Sequence, residues 1–490
     1  MNASDFQGTS LRRSRRLRRR VWVTLLLAVF VGVVVIAWRA HYPVNAPLDS
    51  VLHQRGNRAE QFRITRGANN ELLLIVTFSG GGTRAAAFAF GVLEALARTS
   101  VDVGGEPHPL LDEVDLISAV SGGSFTAAHF GLFGTAGFRD FEQQFLKANV
   151  TRHLYLKASS PLNLARLAST RFARSDLVAE HFDELLFGGL TYGDLQRRPG
   201  PAILLNATDI GMSVRFQFDQ DTFDLICADL SQFPVARAVA ASSAVPGLLS
   251  AITLRNYAGR CGYQWPEWAG RALRERDTTT RRYHEAARMQ SYRDQRERPF
   301  IHLLDGGLTD NLGVRPVLDD VFFVGGAWRA IKSAGGEALR KIAFIVVNAQ
   351  RAPDVDLNQR EFSPGTFSAL QSAGRVPLDQ YTFETLGALR QELGRWQEEI
   401  AADRCRGQGE AQDAGARDVN SPRCDDIHQY LVEVDFDQIE NAAEREYLKA
   451  LPTTLKLDAD DVDLLRRSAA RLLERSAEYR RLLSDLRSSP

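Results

Sequence analysis

This chain of 490 residues contains few cysteines and few lysines, and its formal net charge is zero. Four cysteines are too few to build a fold from disulfides, although an even number can pair in an oxidising compartment. Sixty basic side chains balance sixty acidic ones, so the net charge gives no indication of a nucleic acid or another charged partner. No cluster of His, Cys and Asp has the spacing of metal ligands, so the sequence predicts neither a metal nor a cofactor.

One long apolar run lies near the N-terminus. Residues 21–38 carry no charge, and at about 1.5 Å per residue a helix of this length nearly crosses a hydrocarbon core of about 30 Å. Residues 1–20 hold seven Arg and one acid, which favours a cytoplasmic N-terminus and export of everything that follows. A cleaved signal peptide is the alternative, but Trp38–Pro43 is a poor cleavage site. We expect an uncleaved single-pass anchor, with the main body periplasmic if the source is bacterial.

Composition divides the chain into five segments. Apolar strand patterns alternate with helical patterns from residue 71 onward, which predicts an α/β fold with a parallel or mixed sheet. An amphipathic stretch at 460–487 is expected to dock on the surface of its own domain. The predicted segments are an Arg-rich tail (1–20), the anchor (21–38), a linker (39–70), an α/β domain (71–350) with an insert (255–298), and a mostly helical C-terminal extension (351–490).

A strand that stops on a serine supplies the first candidate for chemistry. The apolar run Val114–Val120 leads into Ser121, and a small-residue helix follows at once. Such a turn lifts a serine clear of the sheet and points a helix N-terminus at it, provided that its neighbours are small. Gly122 and Gly123 meet this need. The interpretation is a nucleophile elbow, and the alternative is a Ser-Gly turn that only caps a helix.

A glycine run after the first strand supplies the second candidate. Gly80, Gly81 and Gly82 lie between a strand and a helix, where their backbone N–H groups can face a ligand without side chains in the way. This suits an oxyanion hole. The alternative is a dinucleotide-binding turn, whose third glycine position is occupied here by Ala85.

The base that would activate Ser121 is the third candidate. Asp305 ends a short apolar strand, and Gly306 and Gly307 after it leave room for a substrate. His428 is the only histidine that follows Asp305, as the chain order of a Ser-acid-His triad requires. His428 lies beyond a loop insert, so Asp305 itself is the better candidate for the base. An ordinary turn would also explain the sequence Asp305-Gly306-Gly307.

Together these motifs resemble those of the patatin-like phospholipases, over about residues 72–350. AVAASSAVPG at 238–247 is also similar to a helix and turn of that family. The resemblance implies a three-layer sandwich around a central mixed, largely parallel sheet. It implies a Ser121–Asp305 dyad, and Gly80, Gly81 and Gly82 as oxyanion donors.

The same resemblance assigns supporting roles to the residues around these motifs. Arg84 matches the basic residue that closes the glycine motif, and the glycines that follow Ser121 and Asp305 match motif positions. Two positions depart from the family pattern. Ala119 replaces the first glycine of the elbow, and Gly307 stands where many members have Ala.

The expected function is that of a membrane-anchored serine acyl hydrolase that cleaves (phospho)lipid esters at a membrane surface. One alternative is a catalytically silent lipid-binding scaffold with the same fold. Another is an esterase for soluble esters. The sequence does not identify any protein partner, so protein partners stay unknown.

The insert at 255–298 and the cysteines give two further expectations. Export would favour disulfides Cys227–Cys261 and Cys405–Cys424. The insert carries eleven Arg, six acids and six Tyr or Trp, which suits either a solvated surface segment or a lid that docks on an anionic bilayer.

Overall fold

The computed structural model describes residues 3–51, 69–103, 105–352, 361, 365–413 and 423–487. The strands are β1 (Leu72–Phe78), β2 (Ser100–Val103), β3 (Glu106–Pro109), β4 (Val114–Val120), β5 (Ala202–Asp209), β6 (Val214–Gln217), β7 (Ile252–Arg255), β8 (Phe300–Asp305), β9 (Lys341–Asn348) and β10 (His428–Asp435).

The helices of the N-terminal half are α1 (Ala3–Arg39), α2 (Gly82–Arg98), α3 (Gly122–Phe133), α4 (Phe138–Phe141), α5 (Val150–Ala158), α6 (Pro161–Leu167), α7 (Arg174–Phe182), α8 (Tyr192–Gln196), α9 (Gln220–Leu225) and α10 (Val235–Ser242). Those of the C-terminal half are α11 (Glu267–Glu275), α12 (Arg281–Arg293), α13 (Arg315–Val324), α14 (Ala327–Ser333), α15 (Thr366–Asp413), α16 (Ala442–Ala450), α17 (Ala459–Arg475) and α18 (Ala477–Arg487).

The central sheet has the strand order β10-β9-β1-β4-β5-β8-β7, and β6 also pairs with β5. β10, β9, β1, β4 and β5 run parallel, whereas β6, β7 and β8 pair antiparallel. The predicted mixed, largely parallel sheet is therefore confirmed. Parallel strands end at the same edge, which brings the turns that follow β1 and β4 side by side.

Both faces of the sheet are covered by helices, which explains why β1, β5 and β9 are rich in apolar residues and buried along their whole length. Leu72, Leu74 and Val76 belong to one apolar core, together with residues of α2, α3, α10 and α17. The intervening Leu73 and Ile75 belong to a second core, with residues of α13, α14 and α15. Alternate side chains thus point to opposite helix layers, and the three-layer prediction holds.

The C-terminal extension is not wholly helical, because β10 adds a strand to the sheet beside β9. Its alternating burial, with Tyr430, Val432 and Val434 inside, is typical of a strand with one buried face. α17 packs on α2 so closely that a side chain at Gly91 would overlap the backbone of Arg466. The amphipathic segment therefore docks on its own domain, as expected.

The N-terminal helix α1 contains the candidate membrane span, Arg20–Arg39. In the described part of the chain it is the one helix long and apolar enough to cross a bilayer, and none of that span is buried. Residues 40–51 of the predicted linker lie against the main domain. There the Leu48 N–H donates to the Cys227 carbonyl at 2.7 Å, and the Tyr257 hydroxyl donates to the Asn45 carbonyl at 2.9 Å.

Both expected disulfides, Cys227–Cys261 and Cys405–Cys424, are present. The first ties the start of the 255–298 insert to the loop after α9. The insert itself folds into α11 and α12, and its six aromatic rings are buried or half-buried. These rings therefore pack into the protein. That the insert acts as a lid and docks on a bilayer stays a prediction.

Candidate active site

Ser121 occupies a strained turn between β4 and α3, with φ 49° and ψ −118°. Non-glycine residues rarely adopt a positive φ, and such strain tends to persist at functional sites. The turn also lies against its neighbours with no spare room. A Cβ at Gly123 would be 2.5 Å from the Phe78 Cβ, and one at Gly122 would overlap the Gly82 backbone. The small residues predicted for a nucleophile elbow are therefore required by packing.

A second serine, Ser242, holds this strained backbone in place. The Ser121 N–H donates to the Ser242 Oγ at 2.9 Å, and the Ser242 Oγ donates to the Asn206 carbonyl at 2.6 Å. The Ser124 hydroxyl lies 2.8 Å from the same Ser242 Oγ. Sequence reasoning singled out the segment around Ser242 but not this residue, because adjacent Ser243 offers the same chemistry. Ser243 instead donates to the Val239 carbonyl of its own helix.

Asp305 lies at the end of β8, where its carboxylate meets the nucleophile candidate. The Ser121 Oγ donates to the Asp305 Oδ2 at 2.8 Å, although the two residues are 184 positions apart. The Gly307 N–H donates to the other carboxylate oxygen at 2.8 Å, and the Thr208 hydroxyl donates to the Asp305 carbonyl at 2.8 Å. Both Asp305 and Ser121 are buried, with 8% and 5% of their surface exposed. The contact is therefore a shielded hydrogen bond in which every carboxylate oxygen has a donor.

Burial sets the proton affinity of this carboxyl group. It raises the pKa of Asp305 to about 6, while the hydrogen bonds from Gly307 and Ser121 act in the lowering direction. A carboxylate with this pKa is ionised at neutral pH and is a stronger base than an exposed aspartate. Gly306 is confined by the same packing, because a Cβ there would overlap the Asn206 carbonyl.

His428, the triad candidate, lies away from Ser121, and so does His129, which is eight residues further along α3. His428 begins β10 beside Lys341, at the edge of the sheet where the parallel strands start, whereas Ser121 follows the end of β4. The strand length between these edges is about 20 Å. His129 is buried against Phe133 and Phe141, and burial lowers its pKa to about 4.

The glycine turn after β1 lies directly beside Ser121. A Cβ at Gly80 would be 3.2 Å from the Ser121 Cβ and 2.6 Å from the Asn311 Oδ1. The Gly80 N–H is already engaged, because it lies 3.2 Å from both the carbonyl and the Oδ1 of Asn311. Gly81 and Gly82 have φ values of 144° and 62°, which favour glycine. Within the described residues their N–H groups have no hydrogen-bond acceptor, so they are the donors of this turn that remain for a ligand.

Arg84 fixes the turn from behind. Its side chain is 2% exposed and donates to the Ala349 carbonyl at 3.0 Å, to the Leu451 carbonyl and to the Thr453 hydroxyl. The N–H of Thr83 donates to the carbonyl of Thr454 at 2.9 Å. The C-terminal segment thus supports the glycine turn, which no local pattern in the sequence indicated.

In the parts of the chain that the structure describes, no group of three His, Cys, Asp or Glu side chains is placed to hold a metal ion. The arrangement that is present consists of a hydroxyl bonded to a basic carboxylate, with glycine N–H groups beside it. These are the components of acyl transfer through a serine nucleophile.

Comparison with known proteins gives a family match over residues 76–318, to the model described as patatin-like phospholipase. Among solved structures, human GIVD cytosolic phospholipase A2 is similar at 14% identity and a TM-score of 0.42, covering 91% of this chain and 66% of that chain. Its complex with methyl gamma-linolenyl fluorophosphonate has a TM-score of 0.40 at 14% identity, over 88% and 63% of the two chains. VipD from Legionella pneumophila has a TM-score of 0.27 at 11% identity, over 87% and 70%. No curated protein matches the chain.

Proposed function

Because residues 76–318 form a patatin-like phospholipase domain, we propose that this protein is a membrane-anchored hydrolase that cleaves lipid acyl esters with Ser121 and Asp305. The family supports lipid acyl hydrolysis in general. The dyad, the anchor and action at a membrane surface are finer features that we propose beyond the family match. The observation that carries the proposal is the 2.8 Å hydrogen bond from the Ser121 hydroxyl to the Asp305 carboxylate, formed at a strained elbow.

In the first half of the reaction, the Ser121 Oγ attacks the ester carbonyl and its proton passes to the Asp305 Oδ2. The negative charge that develops on the carbonyl oxygen is stabilised by the Gly81 and Gly82 N–H groups, aided by the N-terminus of α3. Collapse of the tetrahedral intermediate breaks the ester bond. Asp305 then returns its proton to the departing alkoxide, which leaves an acyl group on Ser121.

In the second half, a water molecule replaces the alcohol. Asp305, ionised again, accepts a proton from this water as it attacks the acyl carbonyl, and the same N–H groups hold the oxyanion. The proton then returns to the Ser121 Oγ as the fatty acid leaves. Arg84 and Ser242 contact no reacting atom in this scheme. They position the glycine turn and the elbow.

The test is digestion of a lipid mixture by the full chain, followed by mass spectrometry of the released fatty acids and lysolipids. Ser121→Ala and Asp305→Ala should each abolish release, because the two groups act as a unit. His428→Ala is the matched control and should retain most of the activity. A loss in His428→Ala equal to that in Asp305→Ala would show a triad and contradict the proposed dyad.

The same assay separates the two other functions. Lipid binding without release of any product by wild type would indicate a silent scaffold. Hydrolysis of soluble short-chain esters without hydrolysis of vesicle lipids would indicate an esterase. The family match favours lipid as the substrate over both.

We also propose the organisation that places this chemistry at a membrane. α1 would cross the bilayer at residues 21–38 with the Arg-rich tail 1–20 in the cytoplasm, and the linker 39–70 would lead to the exported catalytic domain 71–350. The extension 351–490 would complete that domain, since β10 joins its sheet. The two disulfides fit an oxidising compartment.

A further inference from the structure

A cavity of about 750 Å³ lies against the face of the sheet that is remote from α2 and α3. Ser121, Asp305 and the glycine turn do not line it. Its volume falls in the range of about 300–1,000 Å³ that is typical of small-molecule sites. The side chains that β1, β4, β5 and β9 contribute to this cavity are all apolar, whereas β6 contributes the polar Arg215 and Gln217; the apolar set is Leu73, Ile75, Leu116, Ala202, Leu204 and Ile342.

Further apolar walls come from α13, α14 and the insert, and Trp396 of α15 and Leu225 of α9 also line the cavity. Val321, Ala330 and Ile331 line one side. Trp268 of α11 lines another side and stacks on Phe323 of α13, with ring centroids 5.2 Å apart. The insert therefore closes a cavity distinct from the dyad, and most of that cavity suits a hydrocarbon chain.

One part of the cavity lining is strongly polar, and its carboxyl groups outnumber its guanidinium groups. Among the lining residues two are guanidinium groups, and each has a carboxylate partner. Arg215 bonds to Asp319 at 2.9 Å, and the Arg288 Nε bonds to Glu285 at 2.8 Å. Six carboxyl groups line the same cavity, so carboxyls outnumber guanidiniums by four: Asp219, Asp221, Asp224, Glu285, Asp319 and Asp320.

These carboxyl groups destabilise one another's ionised forms. Burial, and next the charge of Asp221, raise the pKa of Asp219 to about 7. Burial, and next the charge of Asp219, raise the pKa of Asp320 well above its ordinary value. A cationic group placed between these carboxylates would offset both effects.

Two side-chain donors that line the cavity have no acceptor atom within the described residues. Gln217 is 8% exposed, and within the described residues its Nε2 has no hydrogen-bond acceptor. The same holds for the Trp265 Nε1. Both side chains line the cavity. Buried donors are nearly always paired, so a ligand with oxygen atoms that reach these two donors would complete the site.

We propose that this cavity binds a single-chain amphiphile whose head group combines a cationic amine with acceptor oxygens. The alkyl chain would lie between the sheet and α13–α14. The amine would face Asp219 and Asp320, and the oxygens would accept from Gln217 and Trp265. Binding would not require Ser121, so its failure and a failure of the hydrolase proposal are separate results.

The test uses photo-crosslinking with the full chain in nanodiscs of an ether lipid, which has no ester to cleave. The probe is hexadecylphosphocholine with a diazirine at the chain end, and its cationic group is a quaternary ammonium. The comparison probe is the matching hexadecyl phosphate, which lacks this cationic group. Labelling of the nanodisc scaffold protein corrects for partitioning into the bilayer. Peptide mapping then locates the crosslinks.

We expect saturable labelling of β1, β4, α13 or α14 by the choline probe, at least tenfold tighter than by the phosphate probe. Ala330→Trp should fill the cavity and abolish the labelling, whereas Arg329→Trp, on an exposed position of α14, should not. Asp320→Asn should weaken binding of the choline probe at least fivefold, whereas Glu267→Gln, an exposed carboxylate of α11, should leave it unchanged.

Three outcomes would overturn the proposal. Labelling that does not saturate would mean that the cavity takes up no amphiphile. Equal or tighter binding of the phosphate probe would remove the role of the carboxyl groups. Equal labelling in Ala330→Trp and Arg329→Trp would place the probe outside the cavity.

Discussion

Replacing Asp305 by Asn should abolish turnover and yet stabilise the protein above pH 6. Asn has the shape of Asp without its charge. Its Oδ1 can still accept from the Gly307 N–H, and its amide can donate to the Ser121 Oγ. The substitution thus removes the base and keeps the contacts. The loss of general-base catalysis is expected to be about 10²–10⁴-fold or more.

The expected gain in stability follows from the raised pKa of Asp305. Burial raises that pKa from 3.8 to about 6, and each pH unit of such a difference corresponds to about 1.4 kcal/mol. The ionised carboxylate therefore costs the folded state about 3 kcal/mol. Below pH 4 the group is protonated in both the folded and unfolded states, so it costs nothing. The cost appears as pH rises through the interval from about 4 to about 6, and it is constant above that.

The measurement is the thermal melting temperature of wild type and Asp305→Asn between pH 4 and pH 8. We expect equal values near pH 4 and a variant that melts a few degrees higher at pH 8. Asp112→Asn, at an exposed aspartate, is the control and should show neither the stabilisation nor the loss of activity. In wild type, kcat/KM should be half-maximal near pH 6 and fall about tenfold per pH unit below it.

Two results would refute this reasoning. A variant that is no more stable than wild type at pH 8 would mean that the buried charge is compensated in a way the structure does not show. Retained turnover in Asp305→Asn would mean that Asp305 is not the base.

Three further predictions concern the turn at Ser121, one of the disulfides and the membrane topology. Ser242→Ala should lower kcat with little change in KM, and the melting temperature should fall less than the loss of kcat would suggest. Ser242→Thr should restore part of kcat, and Ser243→Ala should have little effect. Equal losses of kcat in Ser242→Ala and Ser243→Ala would contradict the positioning role of Ser242. Replacing Cys227 and Cys261 together by Ser should cost about 2–5 kcal/mol of stability, measured by denaturant unfolding, and an unchanged midpoint would show that the bridge does not form in the protein. A reporter that is active only outside the cytoplasm should work when fused after Pro490, and activity of a cytoplasmic reporter at that position would reverse the proposed topology.

The sequence alone determined those features that are encoded within a few residues. An apolar run that ends on Ser121-Gly-Gly predicts a strand, a sharp turn and a helix, because the backbone of such a turn tolerates only small neighbours. The glycine run after β1 and the strand that ends at Asp305 follow in the same way. Strand and helix patterns in alternation were enough to predict an α/β fold with a parallel or mixed sheet, whereas the two helix layers around it were implied by the family resemblance.

Apart from the two disulfides, and the dyad that the family resemblance implied, tertiary structure decided the contacts between residues far apart in the chain. Only the folded chain selects Ser242 over Ser243, and engages the Gly80 N–H with Asn311 so that Gly81 and Gly82 remain. The strand β10 and the support that Leu451–Thr454 gives to the glycine turn also lay beyond local pattern. The physical reason is that periodicity and turn chemistry act over a few residues, whereas the partner of a buried polar group is fixed by how whole elements pack.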